Sequence, residues 1–206
     1  ITQITREVQI LAIKPSVAAN SIKELIALAK AKPGELNYGS TGVGGPAHIA
    51  VELFNSMAGV NIRHIPYKTG PLAINGILGG EAQMIILDAG VLSTQVKSGK
   101  LKALAVTSAE PSVLYPGLPT IAASGVPGYE MVGMTGILVP AKTPAAIINR
   151  LNRELVRIIN QAEIKERLLN AGGEVVANTP EQFAAVIKAD MDRKSKVIKD
   201  ADIKAD

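Results

Sequence analysis

The chain has 206 residues, 47% of them apolar and 19% charged, with a formal net charge of +4, two histidines and no cysteine. It is long enough and apolar enough to bury a core, which argues against disorder, and without cysteine it forms neither disulfides nor thiolate metal centres. Aromatics at 3% and scattered lysines argue against a nucleic-acid reading surface, and no apolar run reaches the roughly 18 residues of a bilayer span.

Residues 1–7 have neither the charged start nor the apolar stretch of a signal peptide and read as the middle of a longer sequence. Residues 8–13 form an apolar run closed by Lys14-Pro15, the pattern of a buried strand. Ser21-Ile22-Lys23-Glu24 is a capping box; Ile22, Leu25, Ile26 and Ala29 then share a helical face, and Pro33-Gly34 ends that helix. A short strand at Leu36-Asn37-Tyr38 runs into Gly39-Ser40-Thr41-Gly42-Val43-Gly44-Gly45. The helix that follows carries Ile49, Leu53, Phe54 and Met57 before Gly59. Residues 61–67 predict a strand, and 72–78 a short helix stopped by Gly79-Gly80. A buried strand at 82–87 ends in Asp88, a helix follows at 91–97, and another strand at 101–107. This alternation points to βαβ units and a mainly parallel sheet.

Pro111, Pro116, Pro119 and Pro127 mark residues 111–127 as a linker or hinge-side connection. Beyond it, 131–139 is strand-like, and Thr143-Pro144 supplies an N-cap with proline at the first helical position. A helix from 145 to about 161 follows, then a second over 162–171 and a short strand at 174–177. Thr179-Pro180-Glu181-Gln182 is another capping box, opening a terminal helix with Phe183, Val186, Ile187 and Met191 on one side. The Lys- and Asp-rich end from Lys188 is its solvated face.

The glycine loop carries the chemistry. Glycines let main-chain N–H groups approach a ligand, and the first turn of a helix offers N–H groups without intrahelical partners at the positive end of its dipole. Together they make a seat for a carboxylate or phosphate. Ser40 and Thr41 read as capping or ligand-donating hydroxyls, since the nucleophile elbow needs a glycine where Tyr38 stands. His48, in the first turn of the helix, either orients the loop or reaches the ligand, whereas His64 reads as a core or edge residue. Asp88, at the end of a buried strand, is either a ligand contact or a helix N-cap. Gly42 to Ala47 also matches the dinucleotide fingerprint, but Lys68 and Thr69 stand where an acid would hold the ribose. There is no P-loop and no grouping at metal-ligand spacing.

Taken in order, Asn37 to Gly42 with Gly44 and His48, then His64-Ile65-Pro66-Tyr67-Lys68, Gly80 and Asp88, form a pattern. It continues through Gly99-Lys100-Leu101, Leu118-Pro119-Thr120, Gly128-Tyr129-Glu130 and Pro140 to Pro144. This pattern resembles the Bug/TctC solute receptors of tripartite tricarboxylate transporters over nearly the whole chain. It departs at Gly45 (usually serine), Thr69 (glycine), Met134 (tryptophan) and Lys194 (often tryptophan).

The resemblance implies an α/β fold of the type II periplasmic-binding-protein kind, with mixed, mainly parallel sheets flanked by helices in two lobes, the first incomplete. Residues 1–130 would be the second lobe and 131–206 the C-terminal part of the first, with roughly the N-terminal third of a typical member absent. It implies a non-enzymatic, periplasmic, monomeric receptor without cofactor or metal. Such a receptor captures a small organic carboxylate, a di- or tricarboxylate, an amino acid or an aromatic acid, and delivers it to membrane permease subunits. The implied ligand-binding residues are Tyr38, Gly39, Ser40, Thr41, Gly42, Gly44, Gly45, His48, Tyr67 and Asp88. The competing expectations are a nucleotide-binding enzyme and a truncated lobe with a structural or interaction role.

Overall fold

The apolar run at residues 8–13 is the inner half of a longer strand. In the computed structural model, which describes residues 1–204, β1 spans Thr2–Ile13. It is followed by α1 (Ile22–Ala31), β2 (Asn37–Ser40), α2 (Pro46–Ala58), β3 (Arg63–Pro66), α3 (Gly70–Gly79), β4 (Met84–Asp88) and α4 (Ala89–Lys97). Then come β5 (Lys102–Val106), β6 (Val132–Ile137), α5 (Ala145–Ile159), α6 (Ala162–Asn170), β7 (Gly173–Val175) and α7 (Pro180–Asp200). The chain divides into two compact units: Ile1–Glu7 with Val132–Ser195, and Val8–Met131 with residues 196–204. The linear division at 130/131 contains neither exchange at the chain ends. Residues 1–7 pair with strands of the later unit, and α7 continues past Ser195.

In the unit built on Val8–Met131 the strand order is β3-β2-β4-β1-β5. β2 runs parallel to β3 and β4, whereas β1 is antiparallel to β4 and β5. The sheet is therefore mixed. β1, although α1 joins it to β2, runs against its neighbours, while the helix-connected β2, β3 and β4 share one direction. Leu11, Ile13, Tyr38, Met84 and Ile86 share a buried cluster with Ile22 and Leu25 of α1 and Ile49, Leu53 and Phe54 of α2. The alternate residues Ile10, Ala12, Ile85 and Leu87 are buried as well, so the opposite face is also covered; α3 and α4 pack on β4 and supply Ile74, Ile77 and Leu92. The helix signals act as the chemistry dictates. Ser21 accepts the Glu24 N–H, and α2 and α3 end on left-handed Gly59 and Gly80.

Residues 111–127 are not a free linker. Ile121 and Val126 are fully buried, the Thr120 main chain pairs with Val106, and Tyr129 donates its hydroxyl hydrogen to the Ala50 carbonyl at 3.0 Å. The prolines shape turns between apolar anchors that hold the segment on the core.

In the other unit the start of β1 pairs with β6 and, antiparallel, with β7, setting Arg6 opposite Glu174 in a 2.7 Å ion pair. The Phe183 ring of α7 lies on Gly136, where a side chain would collide with it. α7 opens with a reciprocal capping box: Gln182 N–H to Thr179 Oγ1 at 3.2 Å and Thr179 N–H to Gln182 Oε1 at 3.0 Å. α5 starts at Ala145 as expected, but with a different cap. Pro144 occupies its N-cap position, and Thr143 turns its hydroxyl to Pro140 O instead.

Candidate functional site

Three parallel strands end at one edge of the Val8–Met131 unit. The register pairs Tyr38 with His64 and Met84, and Gly39 with Ile65 and Ile85. The loop after Ser40, the Pro66-Tyr67-Lys68 exit of β3 and Asp88 at the end of β4 therefore leave the sheet on the same side. The carboxyl ends of parallel strands are where α/β folds place ligands.

The loop holds its own shape. Gly42 (φ +123°) and Gly44 (φ +72°) adopt backbone conformations that side-chain-bearing residues rarely take. The Ser40 hydroxyl bonds the Gly42 carbonyl and amide, each at 3.1 Å, and the Gly45 amide reaches Gly42 O at 3.4 Å. The Gly44 amide donates to His48 Nδ1 at 2.9 Å. Gly45 is the N-cap of α2 and brings no side chain to it; Pro46 has no N–H. Among the described residues this leaves the N–H groups of Thr41, Val43, Ala47 and His48 without acceptors, and the Thr41 hydroxyl is likewise unbonded. Val43, 40% exposed, and Ala47, buried, belong to this set without being among the expected ligand residues. The only sequence signals for them are the place of Val43 between the loop glycines and that of Ala47 in the first turn of the helix.

A column of rings lies beneath the loop. Tyr38 and His64 are register partners on neighbouring strands and stack with centroids 4.9 Å apart. His48, from the first turn of α2, stacks on His64 at 4.0 Å with planes 16° apart. His64 Nε2 lies 2.5 Å from Ser40 Oγ. Tyr38 donates its hydroxyl hydrogen to Glu52 at 2.7 Å, and burial with that carboxylate raises its pKa far above the ordinary range. Burial pushes the His64 pKa down to about 4, with His48 adding to the effect. His48 is also lowered by burial, against a smaller opposing pull from Glu52.

These positions sort the expected ligand residues. Thr41, Gly42, Gly44 and Gly45 form the partly exposed loop, and His48, at the start of α2, is buried beneath it. Tyr38, Gly39 and Ser40 do not face solvent. Tyr38 and Ser40 are fully buried with their hydroxyls engaged, and Gly39 packs beneath the Tyr67 ring. A Ser40 so enclosed has no nucleophile's access despite its histidine neighbour. The Tyr67 ring folds back over Gly39 and Gly76, and its hydroxyl donates to Glu81 at 2.9 Å, just ahead of β4 and away from the loop edge. Glycines at both positions leave the space that draws it there. Asp88 is exposed at the N-cap of α4 without a side-chain cap bond; its closest polar partner is Gln9 Nε2 at 3.5 Å. His64, read as a core or edge residue, joins Ser40 and His48, and the register of β2 against β3 is what brings it there. No group of three or more His, Cys, Asp or Glu that could hold a metal exists among the described residues.

The profile of the family described as "Tripartite tricarboxylate transporter family receptor", TctC, matches residues 1–203, and the chain belongs to that family. It is 30% identical over 195 residues to Protein BugT of Bordetella pertussis, covering 95% of this chain and 60% of BugT. A solved structure described as R. palustris Rpa4515 with adipate is 30% identical, with a TM-score of 0.81 over 98% of this chain and 67% of that one. The periplasmic binding protein BugD is 27% identical, with a TM-score of 0.75 over 98% and 68%. The chain thus spans between 60% and 68% of the length of these relatives. Among the described residues, no helix is long and apolar enough to cross a membrane.

Proposed function

We propose that this member of the TctC receptor family serves as a periplasmic solute-binding protein. In this reading it holds one carboxylate of a small organic acid in the loop after β2 and passes the acid unchanged to membrane permease subunits. The observation that carries the reading is the set of amides without an internal acceptor at Thr41, Val43, Ala47 and His48, the first two reaching the surface and the last two buried in the first turn of α2, beside the unbonded Thr41 hydroxyl and at the positive end of that helix. These groups can bind and orient an anion. The buried Ser40 and its neutral histidine neighbours are placed to support the loop, not to attack a substrate. Asp88, exposed at the same edge, is placed to accept a hydrogen bond from a hydroxyl or amine of the ligand. Adipate, named for the Rpa4515 structure, makes a linear dicarboxylate the first acid to try.

The unit built on Val8–Met131 would be the second lobe of such a receptor, and Val132–Ser195 with Ile1–Glu7 part of the first. Charge-assisted bonds from amides are worth about 1.5–3 kcal/mol each, and the helix end adds about 0.3–1 kcal/mol. Association costs of at least about 4 kcal/mol consume much of that sum, so one loop alone should hold an acid at about millimolar strength. NMR titration of the 206-residue chain with adipate is the test. Saturable shifts centred on the amides of Thr41, Val43, Ala47 and His48 are expected; shifts centred elsewhere, or none at millimolar adipate, would sink the proposal.

A further inference from the structure

We propose that His48 and His64 are positioning residues for the carboxylate loop, and that His48 works as a proton-sensitive latch on it. The Gly44 N–H points at His48 Nδ1 at 2.9 Å, so that nitrogen holds a lone pair and the ring proton resides on Nε2. Protonation turns Nδ1 into a second donor facing the Gly44 donor, and the contact becomes repulsive. Gly44 lies between Val43 and the start of α2, so its release unseats the amides that meet the carboxylate. His64 fixes the other side of the loop through Ser40, whose hydroxyl bonds both the amide and the carbonyl of Gly42.

The two devices are coupled because the imidazoles lie face to face at 4.0 Å, and a charge on one disfavours a charge on the other. Among the described residues the titratable groups that face the pair are Tyr38 on β2, stacked on His64, and Glu52 on α2, which accepts the Tyr38 hydroxyl and favours a charged His48. Ile203, beyond α7, approaches Gly44 and brings no charge. Burial opposes protonation of both rings, which keeps the latch closed at neutral pH and lets it release only under acid.

The inference rests on reading this loop as the carboxylate seat, and its test separates the two. Amide exchange of the 206-residue chain is read residue by residue at neutral and mildly acidic pH and corrected for the intrinsic pH dependence of exchange. Gly44 protection is expected to fall about ten-fold in acid. His48→Asn, whose Oδ1 can accept the Gly44 hydrogen but takes no proton, should keep Gly44 protected at both pH values; His48→Leu should lose protection at both. A wild-type Gly44 protected equally at both pH values overturns the latch, as does His48→Leu that protects Gly44 as well as wild type. Adipate is the second probe. If Gly44 behaves as expected while adipate shifts no loop amide, the latch stands and the carboxylate reading falls. If adipate shifts the loop amides with the same affinity at both pH values, the carboxylate reading stands and the latch falls.

Discussion

His48 and His64 lie with ring centroids 4.0 Å apart and planes within 16° of parallel, one on the first turn of α2 and the other on the edge strand β3. They are the only two histidines of the chain, 16 positions apart, and both are bound into the loop between them and β2: one through Gly44, the other through Ser40. Two neutral imidazoles tolerate this contact, and two imidazolium ions do not.

Stability should fall under acid for this reason. The folded His64 pKa is near 4, below the ordinary 6.5, so between these values the unfolded chain binds more protons than the folded one. The His64 contribution is then constant above pH about 6.5, declines as pH drops toward 4 and levels off below it. The loss should be on the order of 1–2 kcal/mol once partial exposure is discounted. Urea unfolding across this range measures it. His64→Phe, which keeps a ring in the stack but cannot titrate, should flatten the slope; an unchanged slope would place the titrating group elsewhere.

Gly42→Ala should cost about 1–3 kcal/mol in stability, because φ +123° is closed to a residue with a Cβ. The added methyl meets little beyond the Tyr67 carbonyl at 3.9 Å, so the cost is one of backbone conformation and not of crowding. Loop-amide shifts with adipate should be lost in this variant even where thermal unfolding shows it folded.

Gly76→Ala reverses the usual helix rule. Alanine normally stabilises a helix interior by about 1 kcal/mol relative to glycine, yet here its Cβ would collide with the Tyr67 hydroxyl and ring. The substitution should destabilise by about 1–3 kcal/mol. In a Tyr67→Ala background the same change should become neutral or favourable. A double-mutant cycle reads this coupling, and additive effects would show that the ring does not rest on Gly76.

Thr179→Ala removes the hydroxyl that accepts the Gln182 N–H at the start of α7 and should cost about 0.5–2 kcal/mol. Thr179→Ser should restore most of it. Denaturant unfolding of the three proteins decides whether the reciprocal bond contributes to stability.

Much of this was legible in the sequence because it is local. The capping boxes at Ser21 and Thr179, the stops at Gly59 and Gly80, and the strand–glycine loop–helix at residues 37–58 each depend on residues within one turn or one loop of each other. Their patterns therefore appear as spacings. The family motif rests on the same local blocks, and it includes the loop whose amides lack internal acceptors.

What lay beyond the sequence is contact between distant segments. Nothing in the spacing says that residues 1–7 pair with β6 and β7, or that Tyr67 turns its hydroxyl to Glu81 and not to the loop. Nor does it say that Ser40 is sealed beneath Gly42 by His64. Those outcomes follow from strand register, which sets His64 beside Tyr38, and from close packing, which gives a side chain only the space its neighbours leave. Which amides stay open for an anion is decided last, by whichever acceptors the folded chain has already brought within reach of the others.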